Sequence, residues 1–218
     1  MSMKEMYTTV ANQAEAEIVE KRSRFIATVK PVKTEEEALA FLNELRQTYW
    51  NATHNVYAYI IEENNLMRYS DDGEPGGTAG LPVLDMLKKE GLTNLIVVVT
   101  RYFGGVLLGT GGLVHAYSKS AKAGVSAAGL LDMILCRKLT LTCAYTLLGK
   151  LQNLLAQYPN LIQEEAVYTD QVAIEVYLPV GEADAFCAAL TDKLNAQIKI
   201  EQGDTLYHGK LRKNPLTP

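Results

Sequence analysis

The chain has 218 residues, of which 48% are hydrophobic and 21% charged, and its formal net charge at pH 7 is −4. This composition is typical of a soluble globular protein with one large or two small domains, and it excludes nucleic-acid binding through bulk positive charge. No apolar run approaches the roughly 18 to 20 residues of a membrane span, and the N-terminus has no apolar core resembling a signal peptide. We therefore expect a cytoplasmic protein that does not contact a membrane.

The first predicted elements are two strands separated by a helix. Residues 24–32 and residues 54–61 show the alternation and the β-branched and aromatic content of strands. Between them, Thr34 and Glu37 have the spacing of a capping box, which begins a helix over residues 35–49. Apolar side chains recur at helical spacing along this segment, so we expect one buried face.

A buried strand and a second long helix follow. Residues 81–87 are predicted to be helical, and residues 95–100, an unbroken apolar run that ends in threonine, form a central strand covered on both faces. Residues 101–112 are rich in glycine and lead into a helix over residues 113–127. One face of that helix is polar and partly basic, with His115, Lys119, Lys122 and Ser126.

From residue 135 the pattern changes to strand, helix, two strands, helix and strand. The predicted ranges are 135–145, 147–158, 162–168, 172–178, 182–194 and 197–200. This βαββαβ order is typical of a ferredoxin-like unit. We predict an α+β protein of two domains, residues 1–134 and residues 135–218, the second ending in a loose tail from residue 210.

The cysteines and histidines do not form a metal site. Three cysteines lie in or beside apolar segments without a CxxC pair, so we expect buried, unreactive thiols; they are Cys136, Cys143 and Cys187. The histidines are far apart in the sequence and match no zinc motif. We expect neither a metal nor a cofactor. The tryptophan Trp50 and its neighbour Tyr49 are predicted to lie in the core.

The glycine-rich passage fails the tests for two nucleotide-binding motifs. Gly104 and Gly109 have the spacing of a P-loop, but Thr110 stands where the phosphate-binding lysine is required. Gly109 and Gly111 begin a dinucleotide fingerprint, but Val114 stands where its last glycine is required. Neither an ordinary Walker A site nor a Rossmann site is therefore predicted.

The passage nevertheless predicts an anion site, because a glycine turn presents free backbone N–H groups at the start of a helix. The predicted anion-binding or RNA-binding residues are Arg101, Gly104, Gly105, Gly109, Gly111, Gly112, Lys119 and Lys122. In the alternative interpretation the glycines only permit positive φ and close packing, and Arg101 forms an ion pair with Asp71 or Asp72. A short basic cluster of Lys21, Arg22 and Arg24 either ends a strand or extends an RNA-facing patch.

The acidic segment within residues 68–82 has two interpretations. Asp71, Asp72 and Glu74 are close enough to act as general acid and base or to hold a divalent cation. The same composition is typical of a multiple turn in which aspartates accept hydrogen bonds from nearby N–H groups. The spacing of an EF-hand is absent, so we predict no metal. Asp72 and Glu74 are the catalytic candidates, and the catalytic residues are otherwise unknown.

Four segments together resemble the IMPACT/YigZ family: SRFIA, ATHNVYAYI, YSDDGEPGGTAGLPVLDML and VVVTRYFGGVLLGTGGLVHAYS. They cover about residues 21–127, and the ferredoxin-like segment fits the bacterial two-domain members. The resemblance implies an N-terminal α/β sandwich like a ribosomal-protein domain and domain IV of elongation factor G. It also implies a C-terminal domain like domain V of that factor.

The resemblance further implies a role in translation, since eukaryotic members regulate translation by competing for the activator of the amino-acid-starvation kinase. The positions that match the family motifs form an implied functional surface: His54, Asp71, Asp72, Gly73, Glu74, Pro75, Thr78, Ala79, Gly80, Arg101, Tyr102, Phe103, Gly104, Gly105, Gly109, Gly111, Gly112 and Tyr117.

These observations lead to three functional hypotheses. The first is a translation-associated regulator that binds RNA, the ribosome or a translation-factor protein through the glycine and arginine surface. The second is an enzyme acting on a phosphorylated or nucleotide-like small molecule, with the acidic loop as acid and base and the glycine turn holding phosphate. The third is a protein-interaction module that uses the ferredoxin-like sheet.

Overall fold

The structure is a computed structural model that describes residues 4–212. The chain divides into two compact units between Asp132 and Met133, close to the predicted cut after residue 134. The N-terminal unit is Tyr7–Asp132 with the described residues from Lys210 onward. The C-terminal unit is Met133–Gly209 with the described residues up to Met6. A short segment from each end of the chain thus belongs to the opposite unit.

The described residues form eleven strands and five α-helices, which confirms the α+β prediction. The strands are β1 Met6–Val10, β2 Ala14–Glu20, β3 Ser23–Pro31, β4 His54–Ile61, β5 Leu66–Ser70, β6 Leu95–Tyr102, β7 Leu130–Cys143, β8 Ile162–Gln163, β9 Val167–Tyr168, β10 Val172–Pro179 and β11 Lys199–Leu211. The helices are α1 Glu35–Thr48, α2 Gly80–Lys89, α3 Thr110–Ala128, α4 Tyr145–Leu155 and α5 Val180–Lys193.

The N-terminal unit is a three-layer arrangement around a five-stranded sheet in the order β2-β3-β6-β4-β5, with every neighbouring pair antiparallel. Helices α2 and α3 cover one face of the sheet, and α1 covers the other. The central strand β6 is buried from Leu95 to Arg101, as its apolar run predicted. Apolar burial on both faces therefore holds β3, β4 and β6 as a rigid platform.

Helix α1 begins as the capping box predicted. The Thr34 hydroxyl accepts a hydrogen bond from the Glu37 N–H (3.2 Å), and the Glu37 carboxylate accepts one from the Lys33 N–H (2.7 Å). Trp50 lies beyond the end of this helix and is 81% exposed, so its predicted place in the core is wrong. Helical spacing no longer applies after Thr48, and the turn directs Trp50 away from the buried face.

The C-terminal unit follows the predicted order βαββαβ. Its strands pair in the order β11-β7-β10, and β8 and β9 both lie beside β10 on its other side. The strand predicted at residues 162–168 is present as these two short pieces. Strand β11 is longer than predicted and continues to Leu211, inside the segment predicted as a loose tail. Residues 213–218 of that tail lie outside the described residues.

The cysteine and membrane predictions can be compared with the described chain. The three cysteines are free; Cys136 and Cys143 are buried and Cys187 is half-buried. Burial raises the pKa of each of the three thiols, so they stay protonated and unreactive near neutral pH. None of the helices within residues 4–212 combines the length and hydrophobicity that crossing a bilayer requires.

The packing of α3 on β3 gives a first prediction. A Cβ atom on Gly124 would lie 2.9 Å from both Ala27 Cβ and Val29 Cγ2. Overpacking of this kind costs about 1–3 kcal/mol, whereas the higher helix propensity of alanine gains about 1 kcal/mol. We expect Gly124→Ala to lower the free energy of unfolding measured in urea. The control is Gly149→Ala in α4, where no atom lies within 4 Å of the added Cβ, and this variant should have a higher free energy of unfolding. If Gly124→Ala were stabilised as well, the close packing of α3 on β3 would be contradicted.

Candidate functional site

Asp71 caps helix α2 from the acidic loop, by which we mean residues 71–79 between β5 and α2. Its Oδ1 accepts hydrogen bonds from the N–H groups of Ala79 (3.1 Å) and Gly80 (2.8 Å), and its Oδ2 accepts one from Gly77 (2.8 Å). A carboxylate in this position satisfies N–H groups that have no partner within the helix and interacts favourably with the helix dipole. Asp71 is therefore a structural residue, as the turn interpretation of the acidic segment predicted.

Asp72 ties the same loop to α1 and β4. One carboxylate oxygen accepts a hydrogen bond from the Asn55 N–H (2.6 Å), and the other lies 3.3 Å from Arg46 Nη2. The Asp72 backbone carbonyl lies 2.7 Å from His54 Nδ1. Because a carbonyl can only accept, His54 Nδ1 is the donor and Nε2 is left for other contacts. Both carboxylate oxygens of this acid–base candidate are thus engaged in holding the loop.

Glu74, the other acid–base candidate, lies in a buried polar cluster and is 8% exposed. Its Oε1 accepts hydrogen bonds from Arg101 Nη1 (2.5 Å) and from the Tyr117 hydroxyl (2.7 Å), and His54 Nε2 is 3.7 Å away. Burial, assisted by the Glu74 carboxylate, raises the pKa of Tyr117, so the phenol keeps its proton and donates. No side chain or backbone group of residues 4–212 donates to Oε2.

Arg101 lies below the surface and is 5% exposed. Its Nη2 donates to the Ser23 hydroxyl (3.3 Å), and its guanidinium lies over the rings of Phe25 (5.3 Å) and Phe103 (5.6 Å). Its buried Nε has no hydrogen-bond partner in the described part of the chain. The ion pair that the alternative interpretation assigned to Asp71 or Asp72 is wrong. Glu74 is the partner, since nearby N–H groups occupy the Asp71 carboxylate, and the Asn55 N–H and Arg46 occupy that of Asp72.

The acidic loop and the glycine turn line one pocket of about 380 Å³. The polar side chains at this pocket include Glu74, Arg101 and His54, and Thr53 and Thr110 add hydroxyl groups. The apolar walls are formed by Pro75, Phe103, Leu107, Leu108 and Leu113. Two segments that lie about thirty residues apart in the sequence therefore contribute to a single concave surface, which is the usual form of a ligand site.

Helix α3 begins at the rim of this pocket. Gly109 is its N-cap residue, has a φ of +77°, and provides no capping side chain. The Leu113 N–H donates to the Gly109 carbonyl (2.9 Å), so the N–H groups of Thr110, Gly111 and Gly112 precede the intrahelical ladder. This is the geometry on which the anion-site prediction rests, and anion binding itself stays a prediction.

The glycine turn also packs directly against the β2–β3 hairpin. A Cβ atom on Gly104 would lie 2.1 Å from the carbonyl carbon and oxygen of Arg22, so only glycine fits there. The hairpin turn consists of Lys21 (φ +43°) and Arg22 (φ +71°), both exposed, between the paired residues Glu20 and Ser23. Positive φ at both central residues is typical of a type I′ turn.

Four side chains form what we call the basic corner: Lys21, Arg22, His115 and Lys119. Lys119 Nζ lies 2.6 Å from Glu20 Oε1. The pKa of Glu20 is lowered by the hydrogen bond and charge of Lys119, and further by the charges of His115 and Lys21. Lys21, His115 and Lys119 therefore lie close enough to act on one carboxylate next to the hairpin turn. No hydrogen bond or salt bridge within residues 4–212 involves the side chain of Lys21 or Arg22.

The other predicted site residues lie elsewhere on the N-terminal unit. Lys122 lines a separate groove between α2 and α3 and does not belong to the pocket. The Thr78 hydroxyl donates to the Pro75 carbonyl (2.7 Å), which closes the acidic loop, and the Tyr102 hydroxyl donates to Asn51 Oδ1 (3.0 Å). Among the described residues, no group of three or more His, Cys, Asp or Glu side chains is placed to hold a metal ion.

Comparison with known proteins assigns the family. Residues 21–125 match the model described as the Impact N-terminal domain, and residues 141–197 match a domain of unknown function (DUF1949). The chain is 42% identical over 202 residues to IMPACT family member YvyE of Bacillus subtilis (strain 168), a match that covers 92% of this chain and 93% of YvyE. The chain belongs to the IMPACT family. The resemblance found in its sequence motifs is thereby confirmed.

Other members of the IMPACT family match over shorter spans. IMPACT family member YigZ of Escherichia coli (strain K12) is 35% identical over 79% of this chain and 85% of YigZ. Protein IMPACT homolog of Dictyostelium discoideum is 41% identical over 45% of this chain and 29% of that protein. A solved structure titled "Crystal structure of an hypothetical protein" matches 91% of this chain and 97% of that one, with 31% identity and a TM-score of 0.58.

In this IMPACT family protein, the motif residues of the acidic loop and the glycine turn thus meet at one pocket. Sequence reasoning did not identify Ser23, whose hydroxyl contacts both Arg101 and the Gly104 N–H (3.2 Å). It also did not identify the tight hairpin, because Lys21 and Arg22 lack the Asn-Gly signature of such turns. The basic cluster beside the SRFIA motif was the signal that pointed to this region.

The buried ion pair gives a second prediction. Glu74→Gln or Arg101→Met alone leaves an uncompensated buried charge, which typically costs about 3–5 kcal/mol. The double variant removes both charges, so we expect it to be less destabilised than the more affected single variant. Urea unfolding of the wild type and all three variants measures the coupling free energy. Additive effects of the two substitutions would contradict a direct, buried interaction.

Proposed function

We propose that the protein is a translation-associated regulator that binds RNA, including ribosomal RNA, through the basic corner and the adjoining glycine turn. The observation that carries the proposal is the position of Lys21 and Arg22. Both are exposed cations without a hydrogen-bonded partner in the described chain, and they project from a tight turn that the glycine turn holds in place. Lysine and arginine side chains of this kind contact RNA phosphates.

The conformation of the turn supports a functional reason for these two residues. A left-handed backbone conformation costs residues with a Cβ roughly 1–2 kcal/mol each, and Asn-Gly is the pair best suited to a type I′ turn. Other residues at these two positions, such as Asn and Gly, would therefore make the protein more stable than Lys21 and Arg22 do. Residues that retain unfavourable backbone conformations are concentrated at functional sites.

Exposed aromatic and apolar groups beside the corner are compatible with RNA. Arg24 lies over the Tyr102 ring (5.5 Å), and Phe103 and Leu107 are exposed. Proteins that bind single-stranded RNA stack bases on such aromatic rings and arginine planes. The buried Arg101, in contrast, contributes little charge at the surface because Glu74 neutralises it.

Family membership supports the regulatory part of the proposal. The resemblance to IMPACT proteins implies a role in translation. The eukaryotic relatives match this chain over only 29–32% of their own length, so we propose a role at RNA or the ribosome and not in the kinase pathway. We also propose that the two units have the folds of domains IV and V of elongation factor G, which the βαββαβ order of the C-terminal unit supports.

Replacing the turn residues tests the proposal. We expect Lys21→Asn with Arg22→Gly to raise the free energy of unfolding by about 1–2 kcal/mol, because Asn-Gly relieves the backbone strain. The same variant should bind purified ribosomes and a structured RNA about tenfold more weakly. In a plot of log affinity against log salt concentration, the magnitude of the slope should fall by about 2. Filter binding across a potassium chloride series measures both effects.

The matched control for charge is Lys88→Gln with Lys89→Gln, which removes two exposed cations at the end of α2. This variant should retain the RNA affinity and salt dependence of the wild type. Equal loss in both variants would reduce the effect to net charge, and unchanged binding in the hairpin variant would refute the basic corner. If the hairpin variant still bound RNA but no longer bound a translation-factor protein, that protein would instead be the partner of the basic corner.

Glu20 provides a substitution with the opposite expected effect. Its carboxylate pairs with Lys119 and lies among the cations of the basic corner. Glu20→Gln removes a negative charge that repels phosphate and frees Lys119, so we expect the affinity for RNA to increase severalfold at low salt. Glu5→Gln changes net charge equally and serves as the control in the same filter-binding assay. Weaker RNA binding by Glu20→Gln would contradict the proposed surface.

A further inference from the structure

The pocket contains polar groups whose hydrogen-bonding capacity the protein does not use. Glu74 and Arg101 are each more than nine-tenths buried and line the pocket. The contacts of the Glu74 carboxylate converge on Oε1, and no described residue donates to Oε2. The Nε of Arg101 is buried without a partner among residues 4–212. Buried polar groups are normally satisfied, so the unpaired Nε of a pocket-lining arginine, beside a carboxylate oxygen that solvent can reach, indicates a ligand.

The start of helix α3, which lines the same pocket, favours an anion. Gly109 and Thr110 are among the lining residues, and α3 begins there without a capping side chain. The free N–H groups of the first turn and the positive end of the helix dipole attract a phosphate group. The ion pair of Glu74 and Arg101 is electrically neutral as a whole, so the pocket does not repel an anion at the helix start.

The walls and the volume define the rest of the ligand. Phe103, Leu107, Leu108 and Leu113 provide the apolar part of the pocket lining, beside the helix start and Glu74. The volume of about 380 Å³ lies at the lower end of the range for pockets that bind small organic molecules. A single mononucleotide or a sugar phosphate has the corresponding size, with a phosphate at one end, polar groups at the other and a body that can contact leucine side chains.

We propose that this pocket binds a small phosphate monoester that carries a hydroxyl or amino group. The phosphate accepts hydrogen bonds from the first-turn N–H groups of α3, and the hydroxyl or amino group donates to Glu74 Oε2 or to His54 Nε2. The Asp72 carbonyl orients His54 for this contact by accepting from Nδ1. The site uses neither Lys21 nor Arg22, so it goes beyond the RNA-binding function and stands or falls independently of it.

Gly111 offers a substitution that blocks the phosphate without disturbing the fold. It is the second residue of α3, and a Cβ there would meet no atom within 4 Å. In Gly111→Asp, the new carboxylate competes for the helix N–H groups and repels an anion. Gly181 is the second residue of α5 and is equally unobstructed, so Gly181→Asp is a matched control that makes the same change in the C-terminal unit.

The test is calorimetric titration of the full chain with AMP, ribose 5-phosphate, inorganic phosphate and adenosine. We expect AMP or ribose 5-phosphate to bind more tightly than inorganic phosphate, and adenosine to bind at least tenfold more weakly than AMP. Gly111→Asp should reduce AMP or ribose 5-phosphate affinity at least tenfold, and Gly181→Asp should leave it unchanged. Absence of binding by both phosphate esters at about 1 mM, or equal loss in the two variants, would overturn the proposal.

Two further variants separate this site from the basic corner. His54→Gln should reduce the advantage of the bound phosphate ester over inorganic phosphate, because it alters the contact with the hydroxyl or amino group and leaves the helix start intact. Lys21→Asn with Arg22→Gly should bind the ester as the wild type does. If the hairpin variant loses the ester, the ligand occupies the basic corner and the pocket proposal is refuted. If the hairpin variant loses affinity for RNA and keeps its affinity for the ester, both proposals are supported.

Discussion

The buried ion pair between Glu74 and Arg101 constrains the N-terminal unit more than any surface contact does. A charge removed from water requires a partner at hydrogen-bonding distance, so the acidic loop has to bring Glu74 to the end of β6. Asp71 achieves part of this by capping α2, and Asp72 achieves the rest by binding the start of β4. The three carboxylates therefore have different roles. Those of Asp71 and Asp72 hold the loop, and that of Glu74 reaches the cavity. Tyr117 adds a donor from α3, so the pair also joins the helix layer to the sheet.

The pocket and the basic corner differ in their electrostatic character although α3 contributes to both. At the buried wall of the pocket, where Glu74 and Arg101 lie, hydrogen bonds are stronger than at the surface, so the placement of donors and acceptors gives selectivity. At the corner, the cations are exposed and screened by salt, so they provide long-range attraction with little selectivity. An acidic protein can use such a corner because only the local potential matters to an approaching phosphate backbone. The two ligands that we propose, a small phosphate ester for the pocket and RNA for the corner, differ in the same way.

Features that depend on neighbouring residues could be predicted from the sequence. Contacts between segments that are distant in the sequence could not. The capping box at Thr34 and the buried run of β6 needed only neighbouring residues, and both were confirmed. The partner of Arg101 could not be derived, because Asp71, Asp72 and Glu74 are nearly equivalent in sequence and differ in the donors that the fold brings to each carboxylate. The pocket itself depends on the antiparallel register that places His54 opposite Arg101. That register follows from the packing of the whole sheet, which no single motif encodes.

Ser23 gives the arrangement a mechanical property. It is fully buried, it immediately follows the turn residue Arg22, and its hydroxyl accepts hydrogen bonds from both the Arg101 guanidinium and the Gly104 N–H. The hairpin, the glycine turn and the floor of the pocket are therefore pinned at one oxygen atom. This oxygen atom belongs to Ser23 and not to the turn residues, so the side chains of Lys21 and Arg22 can be replaced while the anchor stays in place. The hairpin thus separates the side chains that present charge to solvent from the atom that holds the floor of the pocket.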